Sequence, residues 1–278
     1  MTELPPNLID GLREGNEDAY RQLYELYGDQ IYILAFGILQ NGADAVYLSF
    51  DELSDCRKAE NFSDASFEAA VRYCRVRGCK VYLALNTPVR EDEMPKAGGL
   101  ALRGQRAGVD AVIVRDLGLF LVLRRLLPDM PLFADKHMGF TTPESVEIAA
   151  SLGFQRIFLP PELSLEEIRR LSHCGLETMV YAQTSLCTAA CGTCRMSMAA
   201  GQQSEDRGLC SEICRESYTF GGRWDTPPLR FKDRSLLSKV KELSEAGVIG
   251  AALGDRDRRP EYGAAYTAAF RTGESRHG

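Results

Sequence analysis

From Ala45 to Leu253 the chain alternates short runs of β-branched and aromatic residues with longer segments of helical period. Few architectures accept that pattern. Strands that read as near-continuous apolar runs are buried on both faces, and a helix after each one places them in a parallel sheet. The expected strands are Ala45–Phe50, Lys80–Asn86, Asp110–Arg115, Pro131–Lys136, Arg156–Pro160, Glu177–Ala182 and Val248–Leu253. Between them, Thr142 or Thr141 can cap a helix opened by Pro143 and stopped by Gly153, and Ser164 with Glu167 forms a capping box ahead of Leu165–Leu171. Asp64–Gly78 and Ser235–Gly247 have the same helical character. These units predict an α/β, (β/α)8 TIM-barrel-like domain over residues 41–272, incomplete or irregular at its first strand. A doubly wound open sheet is the alternative, weakened by the lack of a Gly-x-Gly-x-x-Gly turn after an early strand.

The 278 residues are 45% apolar, enough to bury a core without disulfide staples, and 33 Lys and Arg against 39 Asp and Glu give a net charge of −6. That excludes a global basic field for non-specific nucleic-acid binding and leaves room for a local basic patch. The sequence lacks an uninterrupted apolar run of about 18 residues, and Met1–Asp10 lacks the features of a secretory signal, so a cytoplasmic chain without membrane insertion is expected. Residues 1–40 differ in character: Leu8, Leu12, Ala19, Leu23 and Leu26 recur at helical spacing and predict an N-terminal helical segment. Residues 273–278 read as a disordered polar tail.

Nine cysteines in a reducing compartment point to metal binding or catalysis rather than disulfides. Cys187, Cys191, Cys194, Cys210 and Cys214 share one 28-residue stretch, where an even spread of the nine would put about one. The stretch is rich in Gly, Ser, Thr and charge, unlike a core strand that uses thiols as apolar filler. Thiolates ligate zinc or iron–sulfur clusters. A structural zinc site usually shows two Cys-x2-Cys knuckles, and here only Cys191-x2-Cys194 has that spacing, which favours a cluster over the zinc alternative. Because the segment follows the strand Glu177–Ala182, it is expected at the C-terminal face of the barrel, where active sites gather. Cys74, Cys79 and Cys174 read as packing residues.

Other candidates sit at strand ends. His137 can ligate, relay protons or contact substrate, and Glu162 can serve as a general acid or base or bond the following helix. Asn86 and Asp116 are candidate substrate-binding residues with loop capping as the competing role. Arg207 and Arg215 flank the last cysteines and can offset cluster charge or clasp an anion.

Asn41-Gly-Ala-Asp-Ala-Val-Tyr-Leu48, Asn61-Phe-Ser63, Lys80-Val-Tyr-Leu-Ala-Leu-Asn86, Gly108-Val-Asp-Ala-Val-Ile-Val-Arg-Asp-Leu-Gly118, Pro161-Glu-Leu-Ser164, the cysteine block and Pro260-Glu-Tyr262 together resemble the collagenase-like peptidase U32 family. The stretch Arg207-Gly-Leu-Cys-Ser-Glu-Ile-Cys-Arg-Glu-Ser-Tyr218 is the most specific part. The resemblance implies a [4Fe–4S] protein that hydroxylates an RNA base, in tRNA or rRNA, or a small aromatic quinone precursor without dioxygen. It also implies Cys187, Cys194, Cys210 and Cys214 as cluster ligands, with Cys191 and Cys56 in reserve, Cys56 lying where the ubiquinone-pathway branch places one of its ligands. Two alternatives follow. One is a collagenase-like endopeptidase, although no Ser-His-Asp, Cys-His or His-Glu-x-x-His constellation is visible in the sequence. The other is a non-catalytic, cluster-bearing partner subunit of a heteromeric complex, or a degenerate fusion. This chain carries Asp135-Lys136-His137 where the family has Ser-Thr-Gln, and Pro161 where it has arginine. Separately, Leu12 to Tyr27 resembles the opening of region 2 of extracytoplasmic-function sigma factors, without the acidic, aromatic helix used in promoter melting; we read it as a helical cap on the barrel.

Overall fold

The computed structural model describes residues 44–55, 57, 61–220, 223–224, 233–254 and 260–272. The N-terminal helical segment 1–40, Cys56 and the tail 273–278 lie outside the described residues. Strands and helices alternate as β1 (Ala45–Leu48), α1 (Asp64–Arg75), β2 (Lys80–Leu85), α2 (Met94–Ala107), β3 (Ala111–Val114), α3 (Leu117–Leu126), β4 (Leu132–Ala134), α4 (Pro143–Leu152), β5 (Arg156–Phe158), α5 (Leu165–Leu171) and β6 (Glu177–Ser185). There follow α6 (Met196–Gly201), a small hairpin of β7 (Thr219–Phe220) and β8 (Arg223–Trp224), β9 (Asp233–Ser235), α7 (Val240–Glu245), β10 (Gly250–Leu253) and α8 (Pro260–Thr272).

Local chemistry sets the helix ends. Thr142 accepts from Ser145 N with Pro143 in the first turn, and Gly153 closes α4 in the left-handed region. The Ser164–Glu167 capping box opens α5 as its spacing predicts. Asp116 caps α3 by accepting from Leu119 N at 2.8 Å.

The sheet order is β1-β2-β3-β4-β5-β6-β10, every neighbour parallel, with β9 antiparallel on the C-terminal end of β6. These seven parallel strands are the seven that the sequence predicts. Their alternation divides the core in two. Val81, Leu83, Val112, Leu132, Ile157 and Val180 face the helices, whereas Tyr82, Ala84, Ile113, Phe133, Phe158 and Tyr181 meet inside the curled sheet. At the N-terminal end Arg156 plugs the interior: its Nη1 donates to Tyr82 OH at 3.1 Å, its guanidinium lies 4.6 Å from the Phe133 ring centre, and Glu177 takes the charge. The sheet curls far enough for Tyr47 OH on β1 to donate to Leu253 O on β10 at 3.2 Å. Those two edge strands are not paired to each other among the described residues. The architecture is therefore a TIM-barrel-like α/β fold, open where the irregular first strand was expected.

Candidate active site at the mouth of the barrel

Inside the barrel the strands carry apolar residues, and at their C-terminal ends the inward positions turn polar, with Asn86 after β2, Arg115 after β3 and Asp135 after β4. Asp135, its side chain 1% exposed, accepts from Asn86 Nδ2 at 3.0 Å and from His137 N at 2.9 Å, and it pairs with His137 Nδ1. Asn86 Oδ1 accepts from Asp55 N at 3.1 Å, so the carboxylate is oriented from both sides. Donor atoms of Asp55, Asp135 and His137 all lie within 4.8 Å of one another.

Charge pairing here overcomes desolvation. Burial opposes the Asp135 anion, but His137, Lys136 and the Asn86 bond hold its carboxyl below the ordinary range. Burial would lower His137, but Asp135, with a further contribution from Cys191, raises it to about 10. Desolvation likewise opposes the charge of the half-buried Lys136, yet Cys191, Asp55 and Asp135 hold it above its usual value, with its ammonium 4.5 Å from the Tyr181 ring centre inside the barrel.

After β6 the chain crosses this mouth as a lid, tied to one strand end after another. Next to β1, Gly208 O accepts from Arg57 N at 3.1 Å. Beyond β2, Arg207 Nη1 donates to Pro88 O at 2.6 Å, and its guanidinium pairs with Glu93. Beyond β3, Arg115 holds Gly192 O at 3.3 Å and Asp206. Beyond β4, His137 Nε2 lies 3.6 Å from Glu205 Oε1. Beyond β5, Glu162 Oε1 accepts from Cys191 N at 2.9 Å. Two glycines permit the fit: a Cβ on Gly192 (φ +80) would sit 2.7 Å from His137 O, and one on Gly208 (φ +72) 2.2 Å from Ser54 O.

This lid carries all five clustered cysteines, and the cysteines among the described residues are free thiols. Cys191, Cys194, Cys210 and Cys214 are half-buried, and Cys187 shows more surface. Burial of the Cys187 thiol, opposed by Lys136 and reinforced by Cys191, Glu205 and Cys210, nevertheless pushes it up to about 11. Cys210 is raised by burial, eased by a bond from Glu212 N and reinforced by Glu212, Cys214 and Cys194. Among the described residues no three of the five cysteines crowd within 4.8 Å, a wider setting than the ~3.8 Å edge of a zinc tetrahedron built on ~2.3 Å bonds. Beside the lid opens a cleft of about 410 Å³ lined by Pro88, Arg115, Leu117, His137, Phe140 and Ile148, among others.

The model of peptidase family U32 matches residues 35–274. The chain belongs to that family. It is 31% identical over 238 residues to the 23S rRNA 5-hydroxycytidine C2501 synthase of Escherichia coli, covering 83% of this chain and 36% of that protein. It is 24% identical to tRNA hydroxylation protein P1 of Bacillus subtilis (83% and 58% covered) and 24% identical to a collagenase of Porphyromonas gingivalis (81% and 58%). The chain thus spans 36 to 58% of the length of these relatives. Thiamine phosphate pyrophosphorylase from Pyrococcus furiosus, 11% identical, shares the fold at a TM-score of 0.50 over 88% of both chains.

Within this U32 chain the structure gathers His137, Asn86, Glu162, Arg207 and the five cysteines of the lid at one mouth. Glu162 holds the lid backbone, and Asp116 caps α3 and accepts from Val89 N at 3.2 Å, facing the loops rather than the barrel interior. Arg215 makes a loose pair with Glu212 at 3.8 Å. Sequence reasoning missed Arg115, Asp135, Lys136, Glu205 and Asp206 as members of the site. Three consecutive polar residues, 135 to 137, after an apolar strand were the available signal. Arg115 is 8% exposed, and its Nη1 is buried without a partner among the described residues, as is Glu205 Oε2.

Proposed function

We propose that this chain is an iron–sulfur member of family U32 that hydroxylates a base of tRNA or rRNA without dioxygen. The observation that carries the reading is the position of the thiols: a lid on the C-terminal mouth of a TIM-like barrel, the face on which catalytic groups of such folds gather. The relatives named as rRNA and tRNA hydroxylation proteins support the substrate class. Cys187, Cys194, Cys210 and Cys214 would hold a [4Fe–4S] cluster, for which an all-thiol, widely spaced donor set, half-buried except at the exposed Cys187, is suited. Bound there, the cluster supplies one-electron chemistry next to the polar mouth. The chain's own groups do the rest. Arg207 and Glu93 clamp the lid, Glu162 sets Cys191, and Asp135 fixes the ring of His137 at the position a reacting base would reach.

The test is anaerobic incubation of the reconstituted chain with tRNA and rRNA from cells lacking it, an electron carrier and a panel of hydroxylated oxygen-donor compounds, followed by nucleoside mass spectrometry. Gain of one oxygen on a single nucleoside is expected, with none from the fourfold Cys→Ser variant. Unchanged RNA across donors and electron sources contradicts the reading. Gelatin cleavage by protein lacking those four cysteines would point to the peptidase alternative.

A further inference from the structure

Helix α3 carries more leucine than its core needs. Leu119, Phe120 and Leu123 bury one side of it, and the outer side of a surface helix is ordinarily polar. Here Leu117, Leu121, Val122 and Leu126 stand exposed on the rest of the helix, and the neighbouring α4 adds Ile148 and Leu152. The six are 36 to 58% exposed, and they make up six of the nine large apolar side chains that the described residues leave at the surface. Scattered exposed leucines need no partner, but an apolar patch gathered on two adjacent helices marks an interface.

The charges around the patch indicate what covers it. Arg124 and Arg125 lie in the last turn of α3, and Glu144 and Glu147 lie in the first half of α4. Each helix follows its strand, β3 or β4 of the parallel sheet, and runs back from the C-terminal mouth. The arginines and the glutamates therefore occupy opposite corners of the patch. None of the four has an ion-pair partner among the described residues, and Asp129, just beyond α3, pairs with neither arginine. A two-fold axis lying in the patch, across the line that joins the two corners, sets the basic corner of each copy on the acidic corner of the other. Apolar centre then meets apolar centre, which is the self-complementarity that an isologous pair requires.

We infer that the α3–α4 face is the surface through which two copies of this chain associate. Two helices about 15 Å long and about 10 Å apart offer roughly 500 Å² per copy, at the low end for specific association. The pair is accordingly one that forms and dissociates at roughly micromolar concentration. Leu117, Ile148 and Leu152 also line the cleft beside the lid, so in the pair the second copy forms the outer wall of that cleft.

The experiment is sedimentation velocity of the full chain, purified without oxygen, over about 1 to 200 µM, a range that brackets such an affinity. Expected is a rise from the mass of one chain toward that of two. Leu121→Lys should weaken association about 100-fold, as a charge placed at the centre of an apolar interface does, with the melting temperature unchanged because the side chain faces solvent in the single chain. Arg125→Glu and Glu144→Arg should each weaken it about 10-fold or more by setting like charges face to face. Mixing those two variants should restore association, because in the mixed pair every basic corner again meets an acidic one; damage to the fold cannot produce that recovery. A chain that stays single across the range overturns the inference. So does a pair indifferent to all three substitutions, which would place the contact elsewhere, or a single copy that binds phosphatidylcholine vesicles through Leu121, which would give the face to a lipid surface.

Discussion

Asp135 concentrates the energetics of the mouth in one side chain, because a carboxylate buried to 1% exposure is tolerable only while His137, Lys136 and Asn86 answer it. Asp135→Asn leaves His137 buried without its anion, so the ring value should fall from about 10 toward or below the ordinary 6.5, read by NMR titration. Stability should drop by about 3–5 kcal/mol, the cost of breaking a buried pair from one side. The pH dependence follows from the two shifts. His137 is raised in the folded chain, so its contribution is complete below pH 6.5 and is lost as pH climbs through about 10. Asp135 is depressed, so its contribution is present above its unfolded value of 3.8 and is lost as pH falls below that. Urea denaturation of wild type and Asp135→Asn should differ most between these limits and converge toward pH 10; a constant difference would contradict the pairing. At Gly192 a methyl group would collide with His137 O and force an L residue into the left-handed region. Gly192→Ala should therefore displace the lid and lower iron occupancy after reconstitution, with the melting curve of the barrel little changed.

The lid is held by ties rather than by a core of its own, which makes it the element most responsive to single substitutions. Arg207→Ala removes the clamp on Glu93 and Pro88 O. With about 1–3 kcal/mol lost for a partly buried charged bond, amide exchange across residues 202–215 should speed up roughly 10- to 100-fold, while that of β2 to β4 stays fixed. Exchange that rises equally throughout would show the lid to be part of one cooperative unit. Elements of this kind also divide what was legible in the sequence from what was not. The seven parallel strands and the caps at Thr142 and Ser164 could be read because apolar runs and cap residues are local signals. β9 could not: Asp233–Ser235 is short, polar and half-exposed, and pairs only with the extension of β6, so it merged into the helix expected from Ser235. The cysteines were legible as a cluster in sequence. The approach of His137 to Glu205 and the tie of Arg115 to Asp206 were not, because they join segments that only the folded barrel brings together.

Across the described residues, Arg156 plugs the N-terminal end of the barrel and a thiol-bearing lid covers its C-terminal mouth. No helix among the described residues is long and apolar enough to cross a membrane. Because Cys187 is pushed up to about 11 and Cys210 is also raised, loading metal must release protons from the lid. Reconstitution should therefore run faster at pH 8.5 than at pH 6.5, followed by the rise of visible absorbance; a pH-independent rate would argue against these thiols as the receiving ligands. The central claim is tested most directly by iron, sulfide and zinc analysis of the full chain purified without oxygen. The account predicts about four irons and four sulfides per chain, retained in Cys191→Ala and lost when any of Cys187, Cys194, Cys210 or Cys214 becomes serine. Stoichiometric zinc without sulfide, or iron that survives those serine substitutions, would contradict it.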